Sequence, residues 1–155
     1  MHLSFNCFID FLEENNVPEC VDKLEIGDIH EGGIVFYLWE SGLHGFVAAP
    51  YDIESEDWED ANWKCDDLEI DGYDDWYLPD NGLLNWMWTN LADSDGDGYN
   101  SGVGDPNNLG NFQPWIYWSS REYSSESAWA VYFRDGTLHS YNKQEPFTVR
   151  AFRAF

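Results

Sequence analysis

The run DSDGDGYNSGVGD places Asp93, Asp95, Asp97 and Gly98 at positions one, three, five and six of an EF-hand-like frame. A hard cation such as calcium needs several oxygens converging on one point, and a D-x-D-x-D-G run wraps three carboxylates around it while glycine permits the sharp turn. The frame then breaks. Gly104 stands at position twelve, where a bidentate carboxylate belongs, and Asp105 falls one residue late. The spacing therefore predicts a calcium site outside the EF-hand class, built from Asp93, Asp95, Asp97 and Asp105 with the Tyr99 carbonyl, against the plainer reading of a solvated acidic loop.

A second group of residues suits recognition. Tyr123, Glu126, Arg134, His139, Tyr141, Asn142 and Lys143 surround the YWSS segment and the hairpin after it. Aromatic faces stack on sugars or apolar side chains, while Asn and Glu fix orientation through directional hydrogen bonds. Four of the seven basic residues lie after Arg121, a bias suited to an anionic glycan or protein; the alternative is an ordinary surface hairpin.

Catalytic chemistry has little support. His2, His30, His44 and His139 show no metal-ligand spacing, and Ser119 and Ser120 lack a G-x-S-x-G elbow. Cys65 falls with Ala61 and Leu68 on one helical stripe, which marks it as core. Carboxylate pairs occur throughout so acidic a chain, so choosing a hydrolytic dyad among them would be arbitrary.

The elements that must position these residues follow from periodicity. Leu3, Cys7, Phe8, Phe11 and Leu12 predict a short amphipathic helix before Val17-Pro18, so residues 1–26 read as an N-terminal helix and linker that could dock to a larger assembly. The main domain is expected over residues 27–155. GGIVFYLW and HGFVAAP predict a buried hairpin. Ala61, Cys65 and Leu68 predict a first helix; Asp80 as N-cap, with Leu83, Leu84, Met87, Trp88 and Leu91, predicts a second. Residues 93–110 read as a polar loop. Asp135-Gly136 then marks a tight turn between AWAVYF and TLHSY, and a last strand runs from Val149 to Phe155. Strands, two helices and then antiparallel strands make an α+β domain.

Composition bounds the partners. Thirty Asp and Glu against seven Lys and Arg give a formal charge of -23, which repels nucleic acid and anionic lipid. No apolar run reaches membrane-spanning length. Aromatic residues form 18% of the chain, with nine Trp, so large rings should build the core. Three cysteines exclude a fully paired disulfide framework. The N-terminus lacks the basic region of a secretory signal, so the expected location is a virion or extracellular surface reached on a particle assembled in the cytoplasm.

GGIVFYL (Gly32–Leu38), HGFVAAP (His44–Pro50), DWYLP (Asp75–Pro79), YWSS (Tyr117–Ser120), AWAVYFRDG (Ala128–Gly136) and VRAFR (Val149–Arg153) follow one another in order. In this succession the chain resembles the Lcl C-terminal domain family, named for the C-terminal domain of bacterial collagen-like adhesins. The resemblance implies a C-type lectin-like fold with both ends of the domain in one small sheet and a loop-rich lobe above. That fold also serves formylglycine-generating enzymes and phage tail-fibre tip proteins, so it does not decide function. The late cysteine pair of the former is missing here. Sugar-binding relatives use E-P-N or Q-P-D type motifs, and Glu145-Pro146-Phe147 lacks the third amide. Trp76, Trp118 and Trp129 are expected in the core, and Arg150 and Arg153 on opposite faces of one strand, each paired with a carboxylate. The expected function is a non-enzymatic binding module of adhesin or receptor-binding type, displayed on a phage or injection particle or a cell surface and recognising a surface glycan or protein. The alternative is a structural decoration or adaptor protein without a ligand of its own.

Overall fold

The computed structural model describes residues 23–39, 42–55 and 57–155; the helix expected between Leu3 and Leu12 lies outside them. Apolar, β-branched and aromatic residues pair first as a hairpin. β1 (Ile29–His30), β2 (Gly33–Trp39) and β3 (His44–Ala48) are antiparallel neighbours, and β9 (Phe152–Ala154) closes a four-stranded sheet in the order β1-β2-β3-β9. The first and last described strands thus share one sheet.

The second sheet contains β4 (Ile53–Glu54), β5 (Ile116–Glu122), β6 (Ser127–Tyr132), β7 (Thr137–Asn142) and β8 (Thr148–Val149), ordered β4-β8-β5-β6-β7. Its pairs are antiparallel except β5 with β8. The β6–β7 hairpin turns at Asp135-Gly136 as its sequence predicts. Gly136 has φ +71°, and a Cβ there would meet the Trp88 ring at 2.7 Å, so both the turn and the packing beneath it require glycine.

The expected strand from Val149 to Phe155 is two strands. Arg150 and Ala151 lie in the crossing between them, which carries the chain from β8 in the second sheet to β9 in the first. Its arginines therefore do not share one strand. Arg150 is 1% exposed. It donates to Asp52 Oδ1 from Nε at 2.8 Å and from Nη2 at 2.5 Å, and from Nη1 to the Ala49 and Gly110 carbonyls at 3.0 and 2.9 Å. Asp52 also accepts the Tyr117 hydroxyl at 2.8 Å. Arg153 donates to Asp75 and Glu31 at 2.6 Å each and lies over the Tyr73 ring. Each arginine is paired with carboxylate, as expected.

Two helices fill the connection between β4 and β5, both strands of the second sheet. α1 (Trp58–Asp66) starts where Asp57 accepts the Asp60 N–H at 2.8 Å and turns Ala61 and Cys65 inward. Leu68 lies beyond its end but still packs on the core. α2 (Asn81–Met87) starts where Asp80 accepts the Leu83 N–H at 3.0 Å. The single helix expected as far as Leu91 changes after Met87 into a π-helical turn over Trp88–Ala92, closed by Asp93 N–H to the Trp88 carbonyl. Among the described residues no helix is long and apolar enough to cross a membrane.

The middle strands divide the core in two because alternate residues face opposite sides. Trp118, Ala128 and Ala130 join Val35, Val47, Trp76 and Val149 on one side; Tyr117, Val131 and Phe133 join Phe36, Leu84, Met87 and Phe112 on the other. Trp76 and Trp118 are fully buried, and their indole N–H groups donate to the Tyr73 and Glu145 carbonyls. Trp129 departs from the expectation. With Ala128 and Ala130 facing inward, alternation leaves it half-buried on the other face, edge-on to Tyr123 at 5.0 Å.

Candidate functional site

The aspartate loop is a folded structure. Asp93 is 4% exposed, and one carboxylate oxygen from each of Asp93, Asp95 and Asp97 lies within 4.8 Å of the others. Both Asp93 oxygens face the Gly98 N–H at 3.2 Å, Asp97 accepts the Tyr99 N–H, and Asp95 accepts from Asn107 Nδ2 at 2.7 Å. Gly98 has φ +83°, the left-handed turn that its place in the run requires. Burial pushes the Asp93 carboxyl above the usual carboxylate range; the Gly98 hydrogen bond opposes this, and the charges of Asp97 and Asp95 add to it. Such a group gains from a cation.

Asp105 falls outside that trio. Its carboxylate accepts from the Asn107 N–H at 3.0 Å and the Ser101 hydroxyl at 2.7 Å, bonds that hold it below the usual range. Tyr99 turns its N–H toward the cluster, and its ring lies under Arg134. The loop's anchors are two buried residues that sequence reasoning missed. Asn108 donates to the Phe112 carbonyl and to Asn100 Oδ1, and Asn100 Oδ1 also accepts the Gly102 N–H.

The seven residues proposed for recognition do not converge. Tyr123, Glu126, Asn142 and Lys143 gather at one end of the β6–β7 hairpin, where Lys143 N–H bonds the Glu126 carbonyl. Arg134 stands at the other end, roughly 20 Å away at the rise of a β-strand. His139 and Tyr141 lie between; Tyr141 turns in against Phe147. Lys143 is a tie: it pairs with Glu122 at 2.6 Å and lies 4.5 Å above the Trp58 ring. Lys64 pairs with Asp60 at 3.0 Å. With Arg150 and Arg153 also in ion pairs, three of the four basic residues after Arg121 are tied to carboxylates, and Arg134 is the one in no ion pair among the described residues.

A concave surface missed at the sequence level lies instead beside β8. An open cavity of about 570 Å³ is lined by Trp115, Ile116, Tyr132, Pro146 and Phe147, with Glu54 and Ser55 on its polar side. Each wall is held from behind. Phe147 packs on Trp118 at 4.9 Å and Tyr141 at 4.8 Å, and its carbonyl accepts the Ser55 hydroxyl. The Trp115 carbonyl accepts the Phe133 N–H at 2.8 Å, fixing the backbone while leaving the residue 49% exposed. Interaction with the Tyr132 side chain, then with Tyr99, pushes the Arg134 guanidinium further up; it stands two residues beyond the Tyr132 wall and 5.3 Å over the Tyr99 ring. The Pro114-Trp115 and Pro146-Phe147 pairs are the sequence signal that could have marked this surface: each sets an aromatic beside a turn, next to a sheet.

Cys65 is buried, and burial followed by the Asp66 charge pushes its thiol up to about 12, which makes it a poor nucleophile. The model of the Lcl C-terminal domain family matches residues 37–153. No curated protein matches the chain.

Proposed function

The chain belongs to the Lcl C-terminal domain family, an adhesin-like surface domain, and from that premise we propose a non-enzymatic binding module that recognises a surface glycan or protein through the aromatic groove. We read its two small sheets and long loops as the C-type lectin-like architecture, carried on a cell surface or a phage or injection particle. The observation that carries this reading is the groove: three aromatic residues and one acidic residue line one cavity, with the Trp115 backbone held by a hydrogen bond and Phe147 by ring packing. Aromatic-rich concavities with few polar groups are the usual form of a ligand site.

The Asp93, Asp95 and Asp97 cluster is proposed to bind calcium as a structural ion, ordering a loop that reaches Arg134 through Tyr99. Its role would be to hold one end of the groove.

The test is retention of the purified chain on bacterial cells and on an array of glycans and surface proteins, with Trp115→Ala beside it. The reading expects binding by the wild-type chain and its loss in the variant at unchanged melting temperature. Equal retention of both on the same target would refute it.

A further inference from the structure

We propose that the groove takes the phosphocholine headgroup displayed on a cell surface, with the trimethylammonium inside and the phosphate at Arg134; this rests on the groove being the ligand site. The walls supply the first argument. Trp115, Tyr132 and Phe147 line the cavity, and a quaternary ammonium, which has no N–H to donate, is recognised by aromatic faces rather than by hydrogen-bond acceptors. A primary ammonium would lose its hydration against such walls with few acceptors in return.

Charge supplies the second argument. Glu54 is the charged residue of the lining, and its carboxylate has no hydrogen-bond or ion-pair partner among the described residues. The nearby cation Lys64, which donates to the Glu54 carbonyl at 2.8 Å, is neutralised by Asp60 at 3.0 Å. The cavity therefore favours a positive guest, as does a chain of formal charge -23.

The third argument is what stands beside the cation site. Arg134 stands two residues beyond Tyr132, one of the walls, and lies 5.3 Å above the Tyr99 ring with no carboxylate ion pair among the described residues. A planar guanidinium presented in this way matches a phosphate. A cation-binding wall and a phosphate donor two residues apart in the chain fit a zwitterion, and a zwitterion has no net charge for the acidic chain to repel. A polyanionic glycan would meet Glu54 and that overall charge instead.

The experiment is calorimetric titration of the full chain with phosphocholine, choline and phosphoethanolamine, run beside the cell-retention assay. Phosphocholine is expected to bind, choline to bind about fivefold more weakly, and phosphoethanolamine to give no measurable heat. Glu54→Gln should weaken phosphocholine and choline alike by about fivefold, while Arg134→Gln should weaken phosphocholine alone. Both residues are exposed, so melting temperatures should match the wild type. If cells are retained in a Trp115-dependent way and phosphocholine gives no heat, this inference is overturned while the groove stands as the site. If retention is indifferent to Trp115→Ala, both fall. An equal loss of choline binding in Arg134→Gln would overturn the phosphate assignment.

Discussion

Replacing Asp52 with alanine should be among the costliest single changes in the domain. The carboxylate accepts two bonds from Arg150 and one from the Tyr117 hydroxyl. Its loss leaves a guanidinium that is 1% exposed without a counter-charge, lying 4.1 Å from the Phe112 ring and able to keep only the Ala49 and Gly110 carbonyls. Removing one partner of a buried pair costs about 3–5 kcal/mol, because the remaining charge has lost its water and gained nothing. At roughly 2–4 °C per kcal/mol for a chain of this length, Tm should fall by about 12 °C. Thermal unfolding followed by circular dichroism, with urea titration at constant m, reads this directly. Asp52→Asn with Arg150→Met removes both charges and should recover at least half the loss, since the penalty comes mainly from the orphaned cation. A fall below about 3 °C in the single variant, or a double variant worse than the sum of the singles, would refute the reasoning.

The remaining predictions concern titration, metal and the free thiol. Asp93 has a raised folded pKa, so its contribution favours the fold below the unfolded value near 3.9 and is lost as pH rises through the folded one; Asp93→Asn should not lower Tm at pH 7 without metal. Calcium should raise wild-type Tm and leave Asp93→Asn unmoved, and a calcium-independent wild-type Tm would remove the proposed ion. Asp75 is displaced downward, chiefly by the Arg153 hydrogen bond, so its stabilisation is present above about pH 4 and lost as pH falls through the depressed value. Asp75→Asn should therefore flatten the acid limb of a Tm-against-pH curve between roughly pH 2 and 5. Cys65 should resist alkylation at pH 8 until the chain unfolds, which peptide mapping after a timed iodoacetamide pulse would detect.

Local chemistry was well written in the chain. The GGIVFYLW and HGFVAAP hairpin, the Asp80 cap and the Asp135-Gly136 turn each depend on neighbours within a few residues, and each is found where expected. Pairing of the arginines also follows from charge alone, because an arginine in so acidic a chain cannot be buried without a carboxylate. What was not legible depends on contacts distant in sequence. The crossing at Arg150 is tied to Asp52, Ala49 and Gly110, so no window around Val149 could show that the strand breaks there. Trp129 was assigned to the core by residue type, whereas the small Ala128 and Ala130 hold the inward positions. The groove was missed for the same reason: Glu54, Trp115, Tyr132 and Phe147 come from four separate segments and meet only through the β4-β8-β5-β6 order. Lys143 looked like a free surface cation because Glu122 and Trp58 reach it from elsewhere.

The most direct test of the central claim compares the two surfaces on the hairpin side of the molecule. Cell retention would be measured for the wild-type chain, for Trp115→Ala in the groove, and for Tyr123→Ala with Asn142→Ala at the far end of the hairpin. All three positions are exposed, so the fold should be preserved. The groove account predicts a loss of about tenfold or more for Trp115→Ala, as for a central aromatic contact, and retention within about twofold for the hairpin pair. Loss in the hairpin pair with full retention in Trp115→Ala would contradict it.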